Sequence, residues 1–231
     1  AFLGAFRRSR NVELSLEKIY GKELKELGNE WQQELKRIYW PEIGRREKPN
    51  AKFTALTSHI ESRSGFNLKP RISPDGQHIA YYSDSKDYTR IMIADRDGKV
   101  KKEIGQYGYG GFFESFQPFR SGMCWSPSSD RLAFVTKNKG LNEIRIVNVF
   151  TRHHQRTIKP NLAAISSPDW SPDGKQLVFA GLKEHATDIY LYNLEKDTLL
   201  QLTSDVRTES DPRFSRSGKH VLFAATDTSG L

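Results

Sequence analysis

Six histidines, one cysteine and many serines and aspartates are the residues of this 231-residue chain that could carry chemistry. A catalytic zinc site of the peptidase kind needs His-Glu-x-x-His, where two histidines four apart on one helix bind the metal and the glutamate acts as base. None of His59, His78, His153, His154, His185 and His220 has that spacing. His59-Ile60-Glu61 lacks the second histidine and falls in a predicted loop. His153 and His154 are neighbours whose side chains point to opposite sides of an extended chain, so they read as a surface turn rather than a metal pair. Cys124 precedes Trp125 in a predicted inner strand without a histidine or aspartate beside it, the setting of a buried apolar residue rather than a nucleophile. A lone cysteine also excludes an intramolecular disulfide and a Cys-cluster metal site. No Gly-x-Ser-x-Gly elbow is present to expose a serine nucleophile. The chain therefore reads as non-catalytic, without a cofactor or a metal.

Binding chemistry has a better candidate. Gly105 to Arg120 holds six aromatic residues among glycines with no strand alternation, which predicts an extended loop presenting large contact side chains. Tyr107, Tyr109, Phe112 and Phe113 are the candidate binding residues. The competing reading is that these aromatics plug a channel or pack on a helical segment, with Phe116 and Phe119 assigned to packing. Asp75, Asp169, Asp173 and Asp211 recur at repeat spacing, which assigns them to turns and strand capping rather than a shared ion site.

Charge and hydropathy narrow the partner class. The net charge is +8, but Lys and Arg alternate with Asp and Glu outside short runs such as Arg7-Arg8-Ser9-Arg10, as on a solvated surface. A protein or peptide partner is expected, not nucleic acid. No stretch approaches the roughly 18 consecutive apolar residues of a membrane helix. Even Leu141 to Phe150 is broken by Asn142, Glu143, Arg145 and Asn148. The chain opens at Ala1 without a charged segment followed by an apolar core, and reads as an internal piece of a longer protein.

The elements that must position these residues fall into two parts. Residues 1–43 read as a hairpin of two amphipathic helices. Leu24, Leu27, Trp31, Leu35 and Ile38 form one helical stripe, an earlier helix ends at Gly21, and Pro41 stops the second. Such a hairpin has little core of its own and must pack against something else. Residues 44–51, basic and ending near Pro49, are the predicted linker.

From residue 52 the period becomes that of strands, and an internal repeat sets the architecture. The repeat serine falls at Ser73, Ser126, Ser171 and Ser215, in steps of 53, 45 and 44 residues. The motif residues are Ser73, Pro74, Asp75 and Gly76; Trp125, Ser126 and Pro127; and Trp170, Ser171, Pro172, Asp173 and Gly174. Proline fixes φ and glycine supplies a positive φ, as a tight hairpin needs. An apolar strand such as Gln176 to Ala180 follows, then an alternating one, Asp188 to Leu194, then an edge strand, Leu199 to Thr203. Four strands every 40 to 50 residues or so make a β-propeller. The predicted fold is thus mainly β, with four-stranded antiparallel blades in an incomplete ring after the helical hairpin. Blades are placed at about 66–104, 122–158 and 167–203, with a partial one at 211–231. Residues 53–58 match Leu200 to Ser204 and read as an orphan fourth strand that closes a blade lying beyond Leu231.

The Trp170 to Gly174 core and its relatives resemble the repeats of TolB-type β-propellers over about residues 52–231. A narrower resemblance rests on Glu30-Trp31, Tyr39-Trp40-Pro41-Glu42, Leu56-Thr57-Ser58, Phe113-Glu114-Ser115 and Ile165-Ser166-Ser167-Pro168. This pattern is similar to bacterial envelope proteins in which a gluzincin domain precedes a TolB-like propeller. The resemblance implies that residues 1–43 are the tail of a peptidase-like domain and that the protein is periplasmic or extracellular. It also implies a scaffold for protein or peptide partners or, alternatively, a propeller that presents substrate to a zinc peptidase whose motif lies outside this chain.

Overall fold

The computed structural model describes residues 2–40, 53–85, 88–104, 115–116, 118 and 122–226. The chain divides into two compact units, residues 1–55 and residues 56–231.

The first unit contains three helices, α1 (Phe2–Ser9), α2 (Val12–Tyr20) and α3 (Leu24–Tyr39). The helix expected to end at Gly21 is α2, and α1 precedes it as a separate helix. Asn11 leaves helical geometry and its side chain accepts from Leu14 N, capping α2, while Arg10 before it adopts a left-handed φ of 51°. An asparagine side chain that satisfies a free N–H competes well with continued helix. Gly21 ends α2 at φ 66°, donating to Glu17 O, as its freedom from a Cβ allows. On α3 the apolar stripe is present but exposed at Leu24, Trp31 and Ile38.

The second unit opens with a one-turn helix, α4 (His59–Ser62), where a loop was expected, capped by Ser58. Fifteen strands follow among the described residues. The first blade is β1 (Asn67–Ile72), β2 (His78–Ser83), β3 (Arg90–Asp95) and β4 (Val100–Ile104), paired in chain order and antiparallel. In the second, β5 (Ser115–Phe116) and β6 (Met123–Trp125) both pair with β7 (Arg131–Asn138), followed by β8 (Leu141–Asn148) and β9 (His154–Ile158). The third is β10 (Ala164–Trp170), β11 (Gln176–Lys183), β12 (Ala186–Asn193) and β13 (Thr198–Gln201). The hairpin β14 (Glu209–Phe214) and β15 (Val221–Ala225) begins a fourth.

Blade interiors are built from the second and third strands. Leu132, Val135, Ile144, Leu177, Phe179 and Ile189 are all fully buried, and each such side chain contributes roughly 1.5–3 kcal/mol. One cluster joins Ile144 and Ile146 of the second blade to Leu177 and Phe179 of the third, so blades stabilise each other face to face. The innermost strands β1, β6, β10 and β14 touch in that order, and β13 is exposed along its whole length.

Residues 53–58 take part in no strand pairing among the described residues. The Leu56 carbonyl instead lies against Gly98, in the turn between β3 and β4. At φ 82° and with Leu56 O only 2.2 Å from where a Cβ would stand, Gly98 has no room for any other residue.

Candidate binding site

The repeat turn explains how the inner strands are held in line. Ser171 Oγ donates to Asp173 Oδ1 at 2.6 Å and accepts from Gln176 N at 2.8 Å, while Lys175 N donates to Asp173 Oδ1 at 3.0 Å. Ser73, Asp75, Gln77 and His78 form the same network in the first blade. These bonds hold the carboxyls of Asp75 and Asp173 below the ordinary range, the serine hydroxyl being the largest cause. In the second blade Ser129 stands where the other repeats have glycine and adopts φ 59°. Its hydroxyl accepts from Asp75 N, a neighbouring blade's turn, at 3.1 Å. Turns also stack. Where Gly218 sits, an added Cβ would be 3.5 Å from the ring of Pro172 in the preceding blade. The motif residues therefore build hairpins and the seam between blades.

Aspartates at repeat spacing do not share one role. Asp75 and Asp173 cap turns, whereas Asp169 and Asp211 sit on the inner strands. There the chain bulges three times, with register shifts between Leu68 and Arg71, Ser166 and Asp169, and Ser210 and Arg213. Lys69, Ser167 and Asp211 take φ of 51°, 48° and 52° at the bulges, and Ser167 Oγ donates to Asp211 Oδ1 at 2.6 Å across the seam. A bulge re-aims the side chains next to it.

The residue two places before each repeat serine is Arg71, Cys124, Asp169 and Arg213 in turn. All four line one cavity of about 460 Å³, with Trp125, Trp170 and the turn prolines forming much of the rest. Arg71 Nε donates to Met123 O at 3.3 Å and Trp125 Nε1 donates to Arg71 O at 2.9 Å, tying the first inner strand to the second. Asp169 Oδ2 accepts from Phe214 N at 2.8 Å, tying the third to the fourth. Burial pushes the Asp169 carboxyl up, against the opposing pull of that N–H and of the Arg213 and Arg71 charges. Burial also pushes the Cys124 thiol far up, so it is an inert lining group. The arrangement offers two guanidinium groups and aromatic walls and suits a ligand with an acidic and an apolar part.

Two grooves between outer strands compare poorly. One holds Arg156 over the ring of Tyr192 and paired with Asp197 at 2.9 Å; in the other Lys102 donates to the Phe150 carbonyl. Arg156 and Lys102 are thus already engaged by the chain itself.

Tyr107, Tyr109, Phe112 and Phe113 lie outside the described residues, as does Phe119. Phe116 is buried on β5, with ring centroids 5.7 Å from both Phe134 and Tyr82. Trp125 and Trp170, assigned to the repeat motif, line the cavity as well. The histidines do not assemble: His154 begins β9 with Nε2 2.8 Å from Thr157 Oγ1, and His59 Nδ1 lies 3.2 Å from Ser64 O. Among the described residues no three His, Cys, Asp or Glu side chains cluster as a metal site would require. Arg71, Asp169 and Arg213 were not among the binding candidates read from the sequence. Their signal in the sequence was a charged residue two places before the repeat serine in three of the four repeats.

The TolB beta propeller domain family matches residues 114–230. The Tol-Pal system protein TolB of Francisella tularensis subsp. tularensis (strain WY96-3418) is 26% identical over 182 residues, covering 77% of this chain and 39% of that protein. The uncharacterized peptidase YuxL of Bacillus subtilis is 26% identical over 172 residues, covering 74% of this chain and 23% of that protein. In the crystal structure of TolB from Acinetobacter baumannii the fold is similar, with a TM-score of 0.59 at 20% identity over 72% of this chain and 39% of that one. The chain thus spans well under half the length of these relatives.

Proposed function

The chain belongs to the TolB β-propeller domain family, and from that premise we propose that it is a non-catalytic scaffold binding protein or peptide partners in the bacterial cell envelope. The observation that carries this reading is the cavity at the inner strands, built from one equivalent residue of each of four successive repeats. A propeller brings residues distant in sequence to one place there, and its rigid blades hold them ready for a partner. The relative named for the Tol-Pal system supports an envelope location, on the periplasmic side. Tyr107, Tyr109, Phe112 and Phe113 are assigned to a second contact with the partner. Residues 53–58 are assigned the closing strand of a blade supplied by a longer parent.

The test uses a photo-crosslinking amino acid at position 213 and, as control, at Gln155 on the exposed part of β9, in cells producing the protein. Adducts to a discrete partner from position 213 and not from 155 are expected. Equal labelling from both, or none from 213, would overturn the reading.

A second reading is favoured by the relative named as a peptidase: that this propeller presents substrate to a peptidase domain elsewhere in the parent protein. The parent's open reading frame discriminates. A His-Glu-x-x-His helix upstream or a Gly-x-Ser-x-Gly elbow downstream supports it, and a parent with neither refutes it.

A further inference from the structure

The cavity at the inner strands differs from the rest of the propeller in how its arginines are treated. Elsewhere, arginines on strands meet carboxylates of their own chain: Arg90 pairs with Glu103 at 2.6 Å, Arg145 with Glu143 at 2.6 Å and Arg156 with Asp197 at 2.9 Å. Arg71 and Arg213 are half-buried, yet among the described residues neither forms such a pair; each donates to a backbone carbonyl, Met123 O and Pro212 O. The one acid in the cavity, Asp169, spends an oxygen on Phe214 N. A guanidinium has five N–H donors in a fixed fork, so two of them here against one carboxylate leave a surplus of donors and of positive charge.

We propose that this cavity receives the side-chain carboxylate of an acidic residue in a partner peptide, clamped by Arg71 and Arg213. The inference rests on the scaffold reading above and names the chemistry that its site selects. A planar carboxylate matches the fork of one guanidinium and is within the means of a cavity of about 460 Å³, which holds a side chain and its neighbour but not a folded domain. Asp169 at the same wall weighs against a polyanion such as phosphate. Trp125, Pro127 and Pro172, with the 68%-exposed Ile72, give apolar contact to the residues flanking the acid, which a free anion would not use. Apolar walls also lower the local dielectric and strengthen the ion pairs once water is displaced.

The experiment measures binding of short fluorescein-labelled peptides to the intact chain by anisotropy, from a library with every residue type at every position. The best binders are then resynthesised with Glu→Gln or Asp→Asn and, separately, with an amidated C-terminus. Enrichment of one acidic position is expected, with at least about a tenfold loss on neutralising it, and no loss on amidation. Arg213→Gln should cost about as much, and should cost the neutralised peptide almost nothing further, since both changes remove the same pair. Arg71→Gln is the second variant, with unfolding midpoints checked because Arg71 also ties β1 to β6. Peptides that bind with no acidic preference would overturn this proposal and leave the scaffold reading standing. Loss on amidation would overturn it in favour of a chain-terminal carboxylate. No binding by any peptide would sink the scaffold reading itself.

Discussion

Asp169 and Asp173 stand four residues apart and answer to pH in opposite senses. Asp173 has its carboxyl held below the ordinary 3.8 by the Ser171 hydroxyl and the Lys175 N–H, so its contribution is present above the unfolded value and lost as pH falls through the folded one. Asp169 is raised above 3.8 by burial, so its contribution is full below the unfolded value and lost as pH rises through the folded one. Thermal melts of D173N and D169N across acid pH should therefore diverge: D173N loses the acid-side fall in stability, and D169N gains on wild type as pH rises from 3 toward 6 or so. Parallel profiles would refute the assignment. Ser129 gives a second residue-scale test. Its left-handed φ costs about 1 kcal/mol, and its bond to Asp75 N returns a similar amount. S129A keeps the strain and loses the bond, whereas S129G loses both. Denaturant unfolding should rank S129A about 1 kcal/mol below wild type, with S129G between them or level.

Each element follows from a local rule, with two exceptions set by neighbours. The turn motif makes hairpins because proline and glycine supply the required φ values, and the serine and aspartate satisfy the free N–H groups. Gly174 sits at φ 73°, so G174A should lose about 1–2 kcal/mol in chemical denaturation even though little surrounds the site. Middle strands follow from apolar runs, and F179A, at a fully buried position stacked on Tyr190, should cost about 3–5 kcal/mol. The exceptions are the break between α1 and α2 at Asn11 and the bulges of the inner strands. A side-chain cap can be read from an asparagine only once the helix boundary is known. A bulge has no composition of its own, because it is set by which residues the next strand presents. The α3 stripe was legible from its spacing, and its Leu24, Trp31 and Ile38 are exposed.

At the scale of the whole molecule, β15 pairs with β14 only, among the described residues, and Leu222 and Phe223 on it are exposed. An uncovered strand edge with apolar side chains is a template for pairing with another chain. Sedimentation velocity on this 231-residue chain should show association that rises with concentration and falls in the F223K variant. A monomer at every concentration would count against an open edge. The repeat, its four-strand content and the place of each turn were determined by sequence alone, because period, proline and glycine act within a few residues and need no distant partner. The absence of His-Glu-x-x-His spacing was equally plain. What the tertiary structure alone decided is the meeting of Arg71, Cys124, Asp169 and Arg213. Successive ones lie 44 to 53 residues apart, and only the packing of successive blades brings them to one cavity. Whether a charged side chain on a strand is paired or left open depends on its three-dimensional neighbours, and spacing in the chain carries no record of them.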